Sequence, residues 1–255
     1  MASDKNSKLA LGIFALALFV SLINPVHGLP YITFYQDLLV CMAGVAALTF
    51  LMAENNTKTA SDDVPSPDPK IKLRFPALLA IPVGIIGMIC LQIMLGKIEL
   101  TGSVIIPVLY LLLCACALIL GATLSLRIDG ADKAITYVGS AYVLAALISV
   151  VLQQLQILDI DAMPLVMSMQ NGVQIPMRPY ANLAQPNQLA LIYFFSLATV
   201  WYFYRTKKFP AWASCLSAVL ILWGTVLTQS RIGWILIPVF YAYTLRDLIR
   251  CKHTG

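Results

Sequence analysis

The chain has 255 residues, 60% of them hydrophobic and 11% charged, with a mean hydropathy of +0.82. That composition excludes a soluble globular domain and identifies an integral membrane protein. The formal net charge of +5 does not argue for a nucleic-acid partner, because most Lys and Arg residues flank apolar stretches, where they set orientation.

Apolar stretches of membrane-spanning length recur along the whole sequence, each closed by a short polar or Gly/Pro-containing break. The pattern predicts an all-α fold, a polytopic membrane helical bundle of about eight transmembrane helices forming a single membrane domain over residues 1–255. It does not show the weak ten-residue alternation of an outer-membrane barrel. Leu9–Ile23 follow a polar start with two lysines and resemble a signal peptide. No small-x-small cleavage site follows and a second span comes at once, so the segment reads as an uncleaved first helix. The second span runs from about Tyr31 to Met52, and residues 53–75, rich in Asn, Asp, Ser, Thr and Pro, form a cytoplasmic loop. Asn55-Asn56-Thr57 matches a glycosylation triplet, but such triplets are common by chance and a cytoplasmic loop would not be modified. Further spans are predicted at Pro76–Leu95, Val104–Leu126, Ala134–Leu155, Leu189–Tyr204, Ala211–Thr228 and Ile232–Leu245.

An even number of spans puts both termini on one side, and the basic residues choose it. With the N-terminus cytoplasmic, 14 of the 17 Lys and Arg residues lie inside and only Lys97, Arg178 and Arg231 lie outside. The exported side then carries three short turns and one periplasmic loop, residues 156–188. That loop opens on Asp159 and Asp161, passes through the apolar, methionine-bearing 162–169, which is suited to lying along or re-entering the interface, and ends in a dense polar stretch.

That stretch, Met177-Arg178-Pro179-Tyr180-Ala181-Asn182-Leu183-Ala184-Gln185-Pro186-Asn187-Gln188-Leu189-Ala190, gathers amides, one guanidinium and two prolines at the lip of an apolar run. Pro186 suits the first turn of a helix, where its missing N–H would have had no partner. Free N–H groups and the positive end of that helix would then lie beside Arg178, a combination suited to phosphate oxygens. The plainer alternative is an interfacial loop whose polar residues face water. A second stretch, Leu227-Thr228-Gln229-Ser230-Arg231-Ile232-Gly233-Trp234, holds Arg231 at the membrane surface in a tight turn, a costly place for arginine without a partner. Pairing with Asp159, Asp161 or lipid headgroups would explain it structurally. The functional alternative is that Arg178 and Arg231 converge on one anionic ligand, such as a pyrophosphate carried by a lipid.

The other candidates carry less. Lys97 and Glu99 solvate a short turn, His27 is a lone interfacial histidine and His253 lies near the C-terminus. The six cysteines show no metal-ligand spacing and read as packing residues. No clustered carboxylates, HExxH, Ser-His-Asp set, zinc spacing or nucleotide loop is visible, so no metal or cofactor is expected and no catalytic residue is assigned.

Arg178-Pro179-Tyr180-Ala181-Asn182-Leu183-Ala184-Gln185-Pro186-Asn187-Gln188-Leu189-Ala190, followed some forty residues later by Leu227-Thr228-Gln229-Ser230-Arg231, resembles the signature of bacterial protein O-oligosaccharyltransferases, the pilin-glycosylation ligases of the O-antigen ligase superfamily. The first motif is long and specific; the second recurs across the superfamily. The resemblance implies a multi-pass inner-membrane enzyme that takes a glycan from undecaprenyl pyrophosphate at the periplasmic face and passes it to Ser or Thr of an exported protein such as a pilin. It implies pyrophosphate binding by Arg178 and Arg231, and donor or acceptor binding by Asn182, Gln185, Asn187 and Gln188. Family members are longer and carry an essential histidine in a later periplasmic loop, which His27 does not match. The expectation is therefore an N-terminal portion, a split or truncated product, or a chain that works with a separate C-terminal half, and its own enzymatic activity is left open. Two other readings stand beside it: an O-antigen ligase or polymerase acting on lipid A-core or glycan, and a transporter or flippase of an anionic lipid-linked substrate, which would bury polar residues at midplane.

Overall fold

The computed structural model describes residues 2–26, 37–47, 49, 74–99, 102–124, 130–160, 165–167, 178–183 and 185–253. Among them every regular element is helical: α1 (Ala2–Ile23), α2 (Asp37–Ala47), a 3-10 turn (Ala77–Leu79) leading into α3 (Ala80–Met94), α4 (Gly102–Leu124), α5 (Gly130–Ile157), α6 (Pro186–Arg205), α7 (Ala211–Leu227) and α8 (Arg231–His253). The cytoplasmic-loop expectation falls almost wholly on residues 53–73, outside the described residues, as does His27.

Three segments are long and apolar enough to cross a membrane, Ala77–Met94, Val104–Thr123 and Ala131–Ile157; Lys8–Ile23, Asp37–Ala47 and Ala211–Leu227 are apolar but shorter. Length and hydropathy thus establish a membrane-type helical fold without establishing all eight expected spans. The reasons are chemical: α7 has only 17 residues, α6 opens on Pro-Asn-Gln and carries Trp and Tyr near its end, and α8 ends in a charged segment with Arg246, Asp247 and Arg250.

The chain forms two compact units, Met1–Phe14 with Val40–Ala134, and Ala15–Leu39 with Ile135–Gly255. In the first, α3 packs on α4, yet α3 buries only Pro82 and leaves Met94 84% exposed. An apolar helix pair with its large side chains turned outward suits lipid, where exposure of hydrocarbon costs nothing.

The second unit has a proper interior. Hydrophobic driving force between helices is absent in lipid, so close packing and hydrogen bonds must hold them. Accordingly α5 turns Ala141, Ala145, Ala146 and Ser149 inward, small residues that let backbones approach. Ser196 of α6 donates to the carbonyl of Tyr142 at 2.9 Å. Gly224 of α7 allows a close approach: a methyl group there would come within 2.7 Å of Tyr193 of α6 and of Val150 of α5.

The helices of this unit stop where left-handed residues reverse the chain. Asp159 (φ 54°), Lys207 (φ 57°) and Gln229 (φ 49°) follow α5, α6 and α7. After α5 the amide of Ile160 returns to the carbonyl of Leu155 at 2.9 Å, and after α6 that of Lys208 returns to Phe203 at 2.8 Å, the Schellman arrangement that satisfies terminal carbonyls. At the next helix starts, Pro186 is the first residue of α6 and Pro210 precedes α7. Because α6, α7 and α8 are joined by tight turns, they alternate in direction. One end of the unit gathers the starts of α6 and α8 with the end of α7. The opposite end gathers Arg205, Lys207, Lys208 and Asp247, with Arg205 on Asp247 at 3.1 Å and Lys208 bonded to Thr136.

Candidate functional site

The loop that carries Arg178 is built from inside. Gln153 and Gln156 lie three residues apart on α5, hence on one helix face, and both are buried. The amide nitrogen of Gln153 donates to the carbonyl of Pro179 at 2.9 Å, and its oxygen accepts the hydroxyl of Tyr193 at 2.7 Å. Gln156 donates to the carbonyls of Met167 and Ala181, both at 2.8 Å, and accepts the amides of Tyr180 at 3.2 Å and Ala181 at 2.9 Å. Ala181 takes a left-handed φ of 52°, rare for a residue with a side chain, and is fully buried.

Asn182 completes the frame. Its amide nitrogen donates to the carbonyls of Ile23 at 2.8 Å and Leu165 at 2.9 Å, and its oxygen accepts the amide of Met167 at 2.9 Å. The residue is 1% exposed. Its side chain therefore faces the interior and ties the loop to α1; it is not presented at the surface where a donor or acceptor would dock. The two α5 glutamines were not among the sequence candidates. The available signal was a pair of amides spaced at i, i+3 inside an apolar run.

From this frame Arg178, half-buried, reaches across to the α7–α8 turn. Its Nε donates to the carbonyl of Thr228 at 3.0 Å, and Nη2 lies 3.4 Å from Oδ1 of Asn187. The Thr228 carbonyl belongs to the last turn of α7, whose carbonyls have no intrahelical partner and carry the negative end of the helix dipole. Arg178 thus caps α7. Of the five N–H donors of a guanidinium, these contacts engage two.

The turn itself is cross-braced. Thr228 Oγ1 donates to the carbonyl of Thr225 at 2.7 Å and accepts the amide of Ser230 at 3.2 Å, while Ser230 Oγ donates to Asn187 Oδ1 at 2.9 Å. Asn187, in the first turn of α6, so joins Arg178 to the residue preceding Arg231. Arg231, exposed, is the first residue of α8. Arg231 is three positions on from Thr228, a Cα span of at most roughly 11 Å, so it opens α8 close to the turn that Arg178 contacts. Gln185, Asn187 and Gln188 are exposed around the start of α6.

Chemically, the patch sets the N-termini of α6 and α8 side by side, each with free N–H groups and a positive dipole end, with two arginines among them. The opposing dipole of α7 is met by Arg178. The arrangement suits an anion with several oxygens at the edge of the apolar helices. Asp159 is exposed at the end of α5, while Asp161 lies outside the described residues, as do residues 168–177 and Ala184. Among the described residues no group of three or more His, Cys, Asp or Glu is placed to hold a metal ion.

Over 238 residues, 92% of its length, the chain is 27% identical to the general O-oligosaccharyltransferase of Acinetobacter baylyi. It spans 38% of that relative's length. No family model matches the chain, and no solved structure is similar to it. The similarity to a protein O-oligosaccharyltransferase expected from the two motifs is therefore found over nearly the whole chain.

Proposed function

We propose that this end of the second unit binds the pyrophosphate head of an undecaprenyl-linked glycan, and that the chain takes part in transferring the glycan to a Ser or Thr hydroxyl of an exported protein such as a pilin. The observation that supports the reading is that Arg178 and Asn187 bond to the turn from which Arg231 opens α8, which joins the starts of α6 and α8. In such a transfer the acceptor oxygen bonds to the anomeric carbon as the bond from that carbon to the diphosphate oxygen breaks. The hydroxyl proton passes to a base. The diphosphate departs with added negative charge, which fixed guanidinium and backbone N–H donors stabilise without reorganising. Gln185, Asn187 and Gln188 line the rim where the glycan or acceptor would lie, and Asn182 positions the loop from beneath.

The proposal includes orientation: eight spans in a bacterial inner membrane, both ends of this chain cytoplasmic, the arginine patch periplasmic. The clustering of Arg205, Lys207 and Lys208 at the opposite end of the unit supports it, since cytoplasmic ends collect basic residues. A flippase is less well supported, because the polar groups buried between α5 and α6, Gln153 with Tyr193 and Ser196 with Tyr142, satisfy one another and form a brace more than a path.

The test is a titration of the chain in nanodiscs with a labelled undecaprenyl-pyrophosphate oligosaccharide, followed by addition of a Ser/Thr-bearing exported acceptor. Saturable binding is expected. A charge-assisted hydrogen bond contributes about 1.5–3 kcal/mol, so Arg178→Ala and Arg231→Ala should each weaken binding about ten- to a hundred-fold. Unchanged affinity in both variants would overturn the reading. Glycan appearing on lipid A-core, or crossing the bilayer without transfer, would favour the ligase or flippase alternatives.

A further inference from the structure

The guanidinium of Arg178 meets Thr228 and Asn187 within the two motifs, while the backbone from which it departs is held by a side chain outside both, in the last turn of α5. We propose that Gln156 is the positioning residue of the diphosphate site, holding the Arg178 loop so that the arginine is aimed before the donor arrives. The proposal rests on the reading of Arg178 and Arg231 as the pyrophosphate contacts.

Gln156 is 1% exposed, and its amide spends one N–H donor and its oxygen on Tyr180 and Ala181 and the other N–H on Met167. It holds Ala181 from both sides, donating to its carbonyl at 2.8 Å and accepting its amide at 2.9 Å. It also accepts the Tyr180 amide at 3.2 Å and reaches the Met167 carbonyl at 2.8 Å. Only a neutral amide matches that set, since a carboxylate lacks the donors and an ammonium the acceptor. The pinned residue is the one in the left-handed region (φ 52°), which a residue with a Cβ leaves unless its surroundings hold it. Three residues back along the chain, Arg178 leaves the pinned segment and meets the Thr228 carbonyl at 3.0 Å. Gln153 anchors the intervening Pro179 carbonyl at 2.9 Å. The loop's geometry is thus fixed by α5 and its arginine is read out at the α7–α8 turn. A preset arginine binds more tightly because less side-chain freedom is lost on binding.

A double-mutant cycle separates this role from a general contribution to folding. Gln156→Met keeps length and removes the hydrogen bonds. With farnesyl pyrophosphate as the probe in nanodiscs, the folded Gln156→Met chain should bind about ten-fold more weakly than wild type. In an Arg178→Ala background the same substitution should add no further loss, because Gln156 acts through Arg178, whereas in an Arg231→Ala background the two losses should multiply. Wild-type affinity in Gln156→Met, or a loss that multiplies with Arg178→Ala, would overturn the proposal. If Gln156→Met does not fold, Gln156→Glu, which keeps the acceptor for both amides, is judged by the same cycle. If neither folds, amide exchange at Tyr180 and Ala181 of the wild type decides: protection without probe supports the clamp and rapid exchange removes it. Full probe affinity in Arg178→Ala would instead refute the underlying site and leave the clamp without a function.

Discussion

Asn182 and Asn187 sit five residues apart in one motif and do opposite jobs. Asn187 is exposed, and its side-chain oxygen links Arg178 to Ser230 across two helix starts. Asn182 is buried, and its amide is committed to Ile23, Leu165 and Met167. The difference gives a residue-scale prediction. Asn182→Leu would strand two carbonyls and one N–H away from water, each costing about 1–3 kcal/mol, so the chain should lose roughly 3 kcal/mol or more of stability. Thermal unfolding in detergent should show a clear drop in midpoint, whereas Asn187→Leu should unfold near wild type and weaken donor binding instead. Equal midpoints for Asn182→Leu and wild type would contradict the assignment. The motif's existence was legible in sequence because it is so polar for its surroundings. Which amide faces inward was not, since the partners of Asn182 lie 15, 17 and 159 residues away.

At the scale of elements, a proline and a polar break spoke most clearly. Pro186 opens α6 as expected, and Arg231, expected in the turn just before a span from Ile232, is the first residue of α8; a proline in the first turn and a tight polar break between apolar runs are local chemistry. Helix extent was less legible. Helix α8 continues to His253, well past Leu245, since hydropathy registers only the part of a helix that lipid would cover. Helix α5 runs to Ile157, which moves Gln156 from the expected loop into the helix and gives it a different role. Gly224 was unremarked in sequence, and only the approach of α7 to Tyr193 and Val150 reveals its use. Gly224→Ala should therefore force Tyr193 from Gln153 and cost about 1–3 kcal/mol. Gly121→Ala in α4, where an added methyl meets nothing, should be neutral or stabilising by up to about 1 kcal/mol. Parallel thermal melts check the pair, and equal effects would contradict the packing described.

For the molecule as a whole, the division of labour within the second unit follows from antiparallel helices joined by tight turns. Such a unit has two ends of different character. One carries Arg205, Lys207 and Lys208, with Arg205 paired to Asp247 at 3.1 Å in a half-exposed contact that adds little stability. The other carries Arg178 and Arg231 around the starts of α6 and α8, braced by α5. The donor-binding role proposed above belongs to the second end. The most direct test gives a photoactivatable undecaprenyl pyrophosphate, reactive beside its head group, to the outer face of spheroplasts containing the chain, and maps the cross-linked peptides. Labelling is predicted within residues 178–188 and 228–234, and it should be lost in the Arg178→Ala/Arg231→Ala double variant. Cross-links at residues 205–210 or along the end of α8, or labelling that survives the double substitution, would contradict a diphosphate site built on these two arginines.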